Sequence, residues 1–251
     1  MELTLVQFLM LCMLIGCVAA LYASVGHGGA SGYLAVMSFL FLHPALMSTT
    51  ALLLNVLVAG MGTIQFARAG HFSWKLAWPF TLLSIPSAFV GGLIKVSEAV
   101  YMLLLAAVLL IAAYRLMREG SPGREESREV PPRAVALLSG SGIGLLSGIV
   151  GVGGGIFLSP VLILMKWATT KQTAAVSAFF IVANSVAGLG GRFVRGGLEV
   201  GTIWPLMMAA GAGGLLGSFW GARRSTPRTL RLLLGIVLVI AAFKLVVHAL
   251  G

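Results

Sequence analysis

The chain has 251 residues, of which 59% are hydrophobic and 10% charged, with a mean hydropathy of +1.02 and a formal net charge of +10. Soluble domains carry about 25% charged residues, so the composition excludes a water-soluble domain. The bases are scattered between apolar stretches rather than gathered on one face, which argues against nucleic acid as a partner and for the basic loops of a membrane protein.

Ten apolar segments follow one another. The first, about 3–25, is long enough to cross a hydrocarbon core, for which about 20 residues suffice. It holds Cys12 and Cys17 as packing residues, with no disulfide framework or metal-ligand spacing. Glu2 stands where a signal peptide would have its basic region, so residues 1–25 read as a retained segment. The segment ends in a glycine-rich break, Gly26-His27-Gly28-Gly29, from which a short segment, 30–42, emerges. Segments 45–67, 76–95 and 98–117 complete the first half, predicted as a membrane repeat over 1–117. Arg118–Arg133 (REGSPGREESREVPPR) has mixed charge, prolines and no apolar periodicity, and reads as a solvated linker over 118–133. The second half, 134–251, begins with segment 134–150 and a second break, Gly151-Val152-Gly153-Gly154-Gly155. A short segment, 156–166, follows it, and then 172–191, 200–222 and 229–250. Segments 30–42 and 156–166 are too short for upright spans and read as half-length or steeply tilted helices folding back from their breaks.

The halves are related in sequence. The breaks correspond, Ser48 and Asn55 answer Ser177 and Asn184, Arg68-Ala69-Gly70 answers Arg195-Gly196-Gly197, Trp78-Pro79 answers Trp204-Pro205, and Gly91 answers Gly217. If the linker is cytoplasmic, Arg68, Lys75, the linker bases, Lys166, Lys171 and Arg223 to Arg231 lie inside, leaving Lys95, Arg192, Arg195 and Lys244 outside. That distribution satisfies the positive-inside rule and places both termini outside. Five segments per half then make the copies face opposite ways, although Arg68 and its counterpart Arg195 fall on opposite sides and one of them must violate the rule. The expected fold class is an all-α polytopic membrane protein of two five-segment inverted repeats, with about 8–10 transmembrane segments and Gly-broken half-length helices.

The breaks carry the functional signal. Non-helical backbone at membrane depth is tolerated where it lines a cavity or is buried in protein, and paired Gly-interrupted segments point to a transporter's site. Gly26, Gly28, Gly29, Gly151, Gly153, Gly154 and Gly155 allow a close backbone approach, and helices leaving the breaks present N–H groups that suit an anion. Tight helix packing through small residues is the other reading. His27, the one ionisable group within a break, either binds an anion or passes a proton, or simply hydrogen-bonds the broken backbone as a neutral ring. Asn55 and Asn184, with Ser48 and Ser177, sit mid-span as oxyanion donors or as interhelical glue. There is no Asp, and all seven Glu lie at ends or in loops, so a carboxylate proton relay or cation site is not expected. Gly151-Val152-Gly153 lacks the final glycine of a dinucleotide fingerprint, at Ile156, and the Lys-Ser/Thr of a P-loop, so no cofactor, metal or catalytic residue is predicted. The five tryptophans flank segment ends, as in an aromatic belt.

The two copies, above all GVGGGIFLSPVLIL at 151–164, resemble the TauE/SafE sulfite-exporter family of membrane permeases, whose hallmark is a G-x-G-G-G run followed by a proline and aliphatic residues. Gly151, Gly153, Gly154, Gly155 and Pro160 match it. The first copy departs, with Ala30 for the last glycine, no proline five residues on, and His27 in the variable position. The resemblance implies movement of small sulfur-containing anions such as sulfite or an organosulfonate (sulfoacetate, for example) across the plasma membrane. The expected partners are a small anionic substrate and the lipid bilayer, with a homodimer compatible. A secondary carrier that exports by alternating access is expected, with an anion channel or a carrier of another small organic anion as the alternative.

Overall fold

The computed structural model describes residues 4–40, 43–118, 131–196, 203–223 and 228–250. All regular structure among them is helical: α1 Leu5–Ala23, α2 Ala30–Phe39, α3 Pro44–Arg68, α4 Trp74–Leu93, α5 Glu98–Arg118, α6 Arg133–Val150, α7 Gly155–Leu164, α8 Thr170–Gly196, α9 Trp204–Arg223 and α10 Arg228–Leu250. The helices coincide with the ten apolar segments to within a few residues. The linker predicted over 118–133 lies, apart from its ends, outside the described residues.

Local chemistry sets the ends. Thr4 and Gln7 form a capping box at the start of α1, with Gln7 N–H donating to Thr4 Oγ1 at 3.3 Å and Thr4 N–H to Gln7 Oε1 at 3.0 Å. Pro44 opens α3 at a position where a missing N–H costs nothing. Among the described residues five helices, α1, α3, α4, α6 and α8, are long and apolar enough to cross a membrane. Leu138, Met208 and Phe243 are 72%, 75% and 70% exposed, so the periphery is apolar, as lipid requires and water does not.

Glycine sets the spacing of the helices. On α6, Gly140, Gly144 and Gly148 stack on the backbone carbonyls of Phe80, Ser84 and Ala88 in the parallel helix α4. On α9, Gly213, Gly217 and Gly221 do the same against Gly16 and Ala20 of α1 and its C-cap Ser24. Without side chains between them, the backbones reach contact distance, which is how helices associate where lipid removes the hydrophobic drive. At the centre α3 and α8 run antiparallel, with Gly62 facing Ala178 and Gly188 facing Leu52. Helices α5 and α10 pack on each other and on α2.

The contacts come in interchangeable pairs. Gly217 on Ala20 corresponds to Gly91 on Leu145, and Gly213 on Gly16 to the 2.8 Å pair of Ser87 and Ser141 hydroxyls. In α3 and α8, Gly62 to Gly188 and Leu52 to Ala178 are both shifts of 126 residues. That shift pairs Ser48 with Ala174 and Asn55 with Ile181, one helical turn away from the pairing with Ser177 and Asn184 that residue identity suggests.

Both short helices fold back from their breaks. Gly32 of α2 lies against the side chains of Val18 and Tyr22 in α1, and Ser31 Oγ donates to Tyr22 Oη at 2.8 Å. Gly154, at the head of α7, lies against Ile143 of α6. Each short helix has ten residues, about 15 Å at 1.5 Å per residue, or half a bilayer core of about 30 Å.

The bases sort to two poles. The turn after α3 meets the start of α8: Phe72 and Trp74 both pack on Phe179, with centroids 5.5 and 5.6 Å away. Burial, and then the Lys171 ammonium, hold His71 in that turn below the ordinary histidine range. Lys171 Nζ donates to the Ala222 carbonyl near the end of α9 at 3.4 Å, so this pole gathers Arg68, Lys75 and Lys171. At the opposite pole Arg195 Nη1 donates to the Ile94 carbonyl at the end of α4 at 2.9 Å. Trp167 departs from the belt pattern, being buried against Phe80 at 6.2 Å.

Candidate functional site

The two breaks meet at the centre of α3 and α8. Asn55 is the twelfth of the 25 residues of α3 and Asn184 the fifteenth of the 27 of α8, each within one residue of its helix centre. Asn55 Nδ2 donates to the Val152 carbonyl of the second break at 3.2 Å. Its Oδ1 faces Gly28 of the first break, where an added Cβ would also stand 2.8 Å from Asn55 Cγ. A Cβ on Gly153 would fall 2.7 Å from Asn55 Nδ2 and 3.1 Å from Ser185 Oγ, and one on Gly154 3.5 Å from Asn184 Nδ2. Ile181 lines the apolar side against Gly28, Gly153 and Gly155.

Gly29 and Gly154 cap α2 and α7 with φ of 97° and 81°, a left-handed conformation that a side chain resists, and no side chain caps either helix. Both helices therefore start at the breaks, with their positive dipole ends there. Tyr33 bends back so that its ring carbon Cζ and Oη come within 2.7 and 2.8 Å of a Cβ built on Gly29.

Seven buried side-chain polar atoms among the described residues have no hydrogen-bond partner. Four of them, Tyr33 Oη, Asn55 Oδ1, Asn184 Nδ2 and Ser185 Oγ, lie against the break glycines. Buried polar groups are ordinarily paired, and an unpaired one inside a bilayer is costly. Their convergence on the breaks singles out this place as the candidate site.

The predicted residues divide. Gly28, Gly29, Gly153, Gly154, Gly155, Asn55 and Asn184 come together. Gly26 and Gly151 hold the chain close to α8 and α3, against Ala174 and Ser48. Ser48 Oγ bonds back to the Ala45 carbonyl at 3.2 Å and stands beside Tyr101 rather than on the central cluster. Ser177 belongs to a second network with His27: Ser177 Oγ to Ser159 Oγ at 2.8 Å, and Ser159 Oγ to His27 Nε2 at 3.1 Å. His27 Nδ1 faces the Val25 carbonyl at 3.1 Å and so carries a proton. Nε2 either accepts from Ser159 or, when charged, donates to it while the Ser159 proton turns to the Gly155 carbonyl, 2.9 Å away. Both charge states of His27 are thus hydrogen-bonded without moving a heavy atom.

Ser84, Ser159, Ser185 and Tyr33 escape a search by spacing. Ser84 Oγ donates to Asn184 Oδ1 at 2.6 Å, orienting that amide across 100 residues of sequence. Arg192, counted above among the bases left outside, is 4% exposed, and its Nη2 donates to the Gly148 and Ile149 carbonyls at 2.9 Å each. With Tyr101 Oη donating to the Val150 carbonyl at 3.2 Å, the last turn of α6 is held just before the second break. Lys244 closes α2 in the same way, on the Ser38 and Phe39 carbonyls at 2.9 and 3.0 Å. Arg192→Met keeps the apolar stem but orphans one buried and one half-buried carbonyl, so the thermal midpoint in detergent should fall by the equivalent of about 1–3 kcal/mol. An unchanged midpoint would remove Arg192 from this role.

The family profile described as Sulfite exporter TauE/SafE matches residues 10–245. The chain belongs to the TauE/SafE sulfite exporter family. It is 36% identical over 233 residues to the probable membrane transporter protein y4hK of Sinorhizobium fredii, covering 91% of this chain and 94% of that one. It is 26% identical over 248 residues to the probable membrane transporter protein YjnA of Bacillus subtilis, covering 91% and 96%. A probable membrane transporter protein of Haemophilus influenzae is 24% identical over 202 residues, covering 75% of each chain. No solved structure matches. As a TauE/SafE member, all-helical in regular structure among its described residues, the chain is a membrane transporter, and its glycine motif forms the second of the two breaks described above.

Proposed function

We propose that this transporter moves small sulfur-containing anions, sulfite or an organosulfonate such as sulfoacetate, outward across the plasma membrane. The observation that carries the reading is the convergence of four unpartnered polar atoms on the glycine breaks, where α2 and α7 begin without a side-chain cap. Donors without fixed acids suit a small oxyanion, since among the described residues the single carboxylate side chain is the exposed Glu98.

The halves 1–117 and 134–251 act in this reading as inverted repeats that rock about the site to alternate access. The antiparallel run of α3 and α8 and the interchangeable contacts support it. Of the bases assigned outside, Arg192, Arg195 and Lys244 are engaged on helix-end carbonyls. Their removal from the loop count strengthens a cytoplasmic linker with both termini outside.

With the interior negative, a leaving monovalent anion gains about 2.3 kcal/mol per 100 mV, so export needs no coupled cation. The purified protein in liposomes should carry sulfite down an imposed potential, saturably and with counter-exchange. If neither sulfite nor any organosulfonate moves, the substrate reading is wrong; single-channel currents would instead mark a channel.

A further inference from the structure

The unpartnered atoms at the breaks are not alike. Asn184 Nδ2 can only donate, and the Ser185 and Tyr33 hydroxyls can donate. Asn55 Oδ1 can only accept. Its orientation is set by Val152, because a backbone carbonyl accepts and never donates, so the amide nitrogen must be the atom at 3.2 Å from it. Turning the amide over would bring two acceptors together. The oxygen is therefore fixed on the Gly28 side of a wholly buried residue, with no donor among the described residues to meet it.

A bare oxyanion satisfies the donors and leaves Asn55 worse off, acceptor against acceptor in a low dielectric. Among anions, one with negative oxygen at one end and a proton to give at another satisfies the whole set. Resting on the anion-transport reading above, we propose that Asn55 Oδ1 accepts a hydrogen bond from the transported anion, so that the carrier selects small oxyanions bearing an O–H or N–H group over bare ones of equal size. Among sulfur anions this favours hydrogen sulfite and hydroxyl- or amino-bearing sulfonates over fully deprotonated sulfoacetate.

The test compares anions of matched size in proteoliposomes: 2-hydroxyethanesulfonate against 1-propanesulfonate, which replaces the hydroxyl by a methyl. The hydroxyl compound should move about tenfold faster at subsaturating concentration, the scale of one hydrogen bond to a buried group. Asn55→Leu should bring the ratio near one, whereas Asn184→Leu should slow both anions and keep the ratio. Should Asn55→Leu fail to fold, 2-methoxyethanesulfonate on the wild type decides instead. It has the oxygen but no proton to donate, and should be carried as poorly as the propyl compound. Equal rates for the first pair in the wild type, good transport of the methoxy compound, or a ratio that survives Asn55→Leu would each overturn the assignment, a site filled by water at Asn55 among the reasons. If no anion crosses at all, the transport reading itself falls; if the anions cross alike, only the role of Asn55 does.

Discussion

Gly28→Ala should reduce anion flux to the level of empty liposomes while the protein still inserts and remains helical. The residue has an ordinary backbone conformation, so the effect is one of space alone. The new methyl would overlap Asn55 Oδ1, stand 2.8 Å from Asn55 Cγ and press Ile181 Cγ2 at 3.2 Å. Asn55 cannot retreat without leaving the Val152 carbonyl, 3.2 Å from its nitrogen, so relief on one break disturbs the other. Placement errors of this order at a site are felt as orders of magnitude in rate. Gly60→Ala is the matched comparison: it lies one and a half turns along α3 from Asn55, and its Cβ would meet nothing within 4 Å. Its flux should equal wild type. Full transport by Gly28→Ala would show that the first break does not need its close approach to Asn55.

The ten helices were legible because hydropathy and glycine are local signals, read residue by residue. The breaks were legible for the same reason, and so was the family, whose motif Gly151 to Pro160 is contiguous. Register was not. Residue identity matches Asn55 to Asn184, whereas the shift of 126 residues that carries Leu52 to Ala178 and Gly62 to Gly188 carries Asn55 to Ile181, three residues earlier. The two asparagines serve neighbouring glycines, Gly153 and Gly154, rather than equivalent ones. Ser159 carried a faint signal, four residues after Gly155 and so on its helix face, but its partner His27 is 132 positions away. Arg192 looked like a loop base because charge counts on linear sequence do not see that helix α8 continues past it. What pairs across a hundred residues is set by packing, and spacing along the chain does not encode it.

The seam between α4 and α6 should prove the most sensitive part of the framework. A leucine at Gly144 must displace the Ser84 backbone, for even a methyl there would overlap its carbonyl and stand 2.7 Å from its hydroxyl and 2.8 Å from its Cα. Overpacking of a side chain typically costs about 1–3 kcal/mol, and here the obstacle is main chain that yields only if two helices part, so Gly144→Leu should reach the top of that range or exceed it. The consequence is not confined to stability, because Ser84 Oγ holds Asn184 Oδ1 at 2.6 Å and thereby aims Asn184 Nδ2 at the second break. Gly144→Ala, the milder change, should therefore lower the thermal midpoint and also weaken anion binding. Two residues away on the same helix, Gly142 meets nothing within 4 Å. Gly142→Ala removes a flexible residue from a helix interior at no steric cost and should be neutral or raise stability by about 0.5–1 kcal/mol. Melting curves of the two alanine variants in one detergent decide the matter. Equal midpoints would mean that α4 and α6 are not in backbone contact, and that the path from the seam through Ser84 to Asn184 does not exist as described.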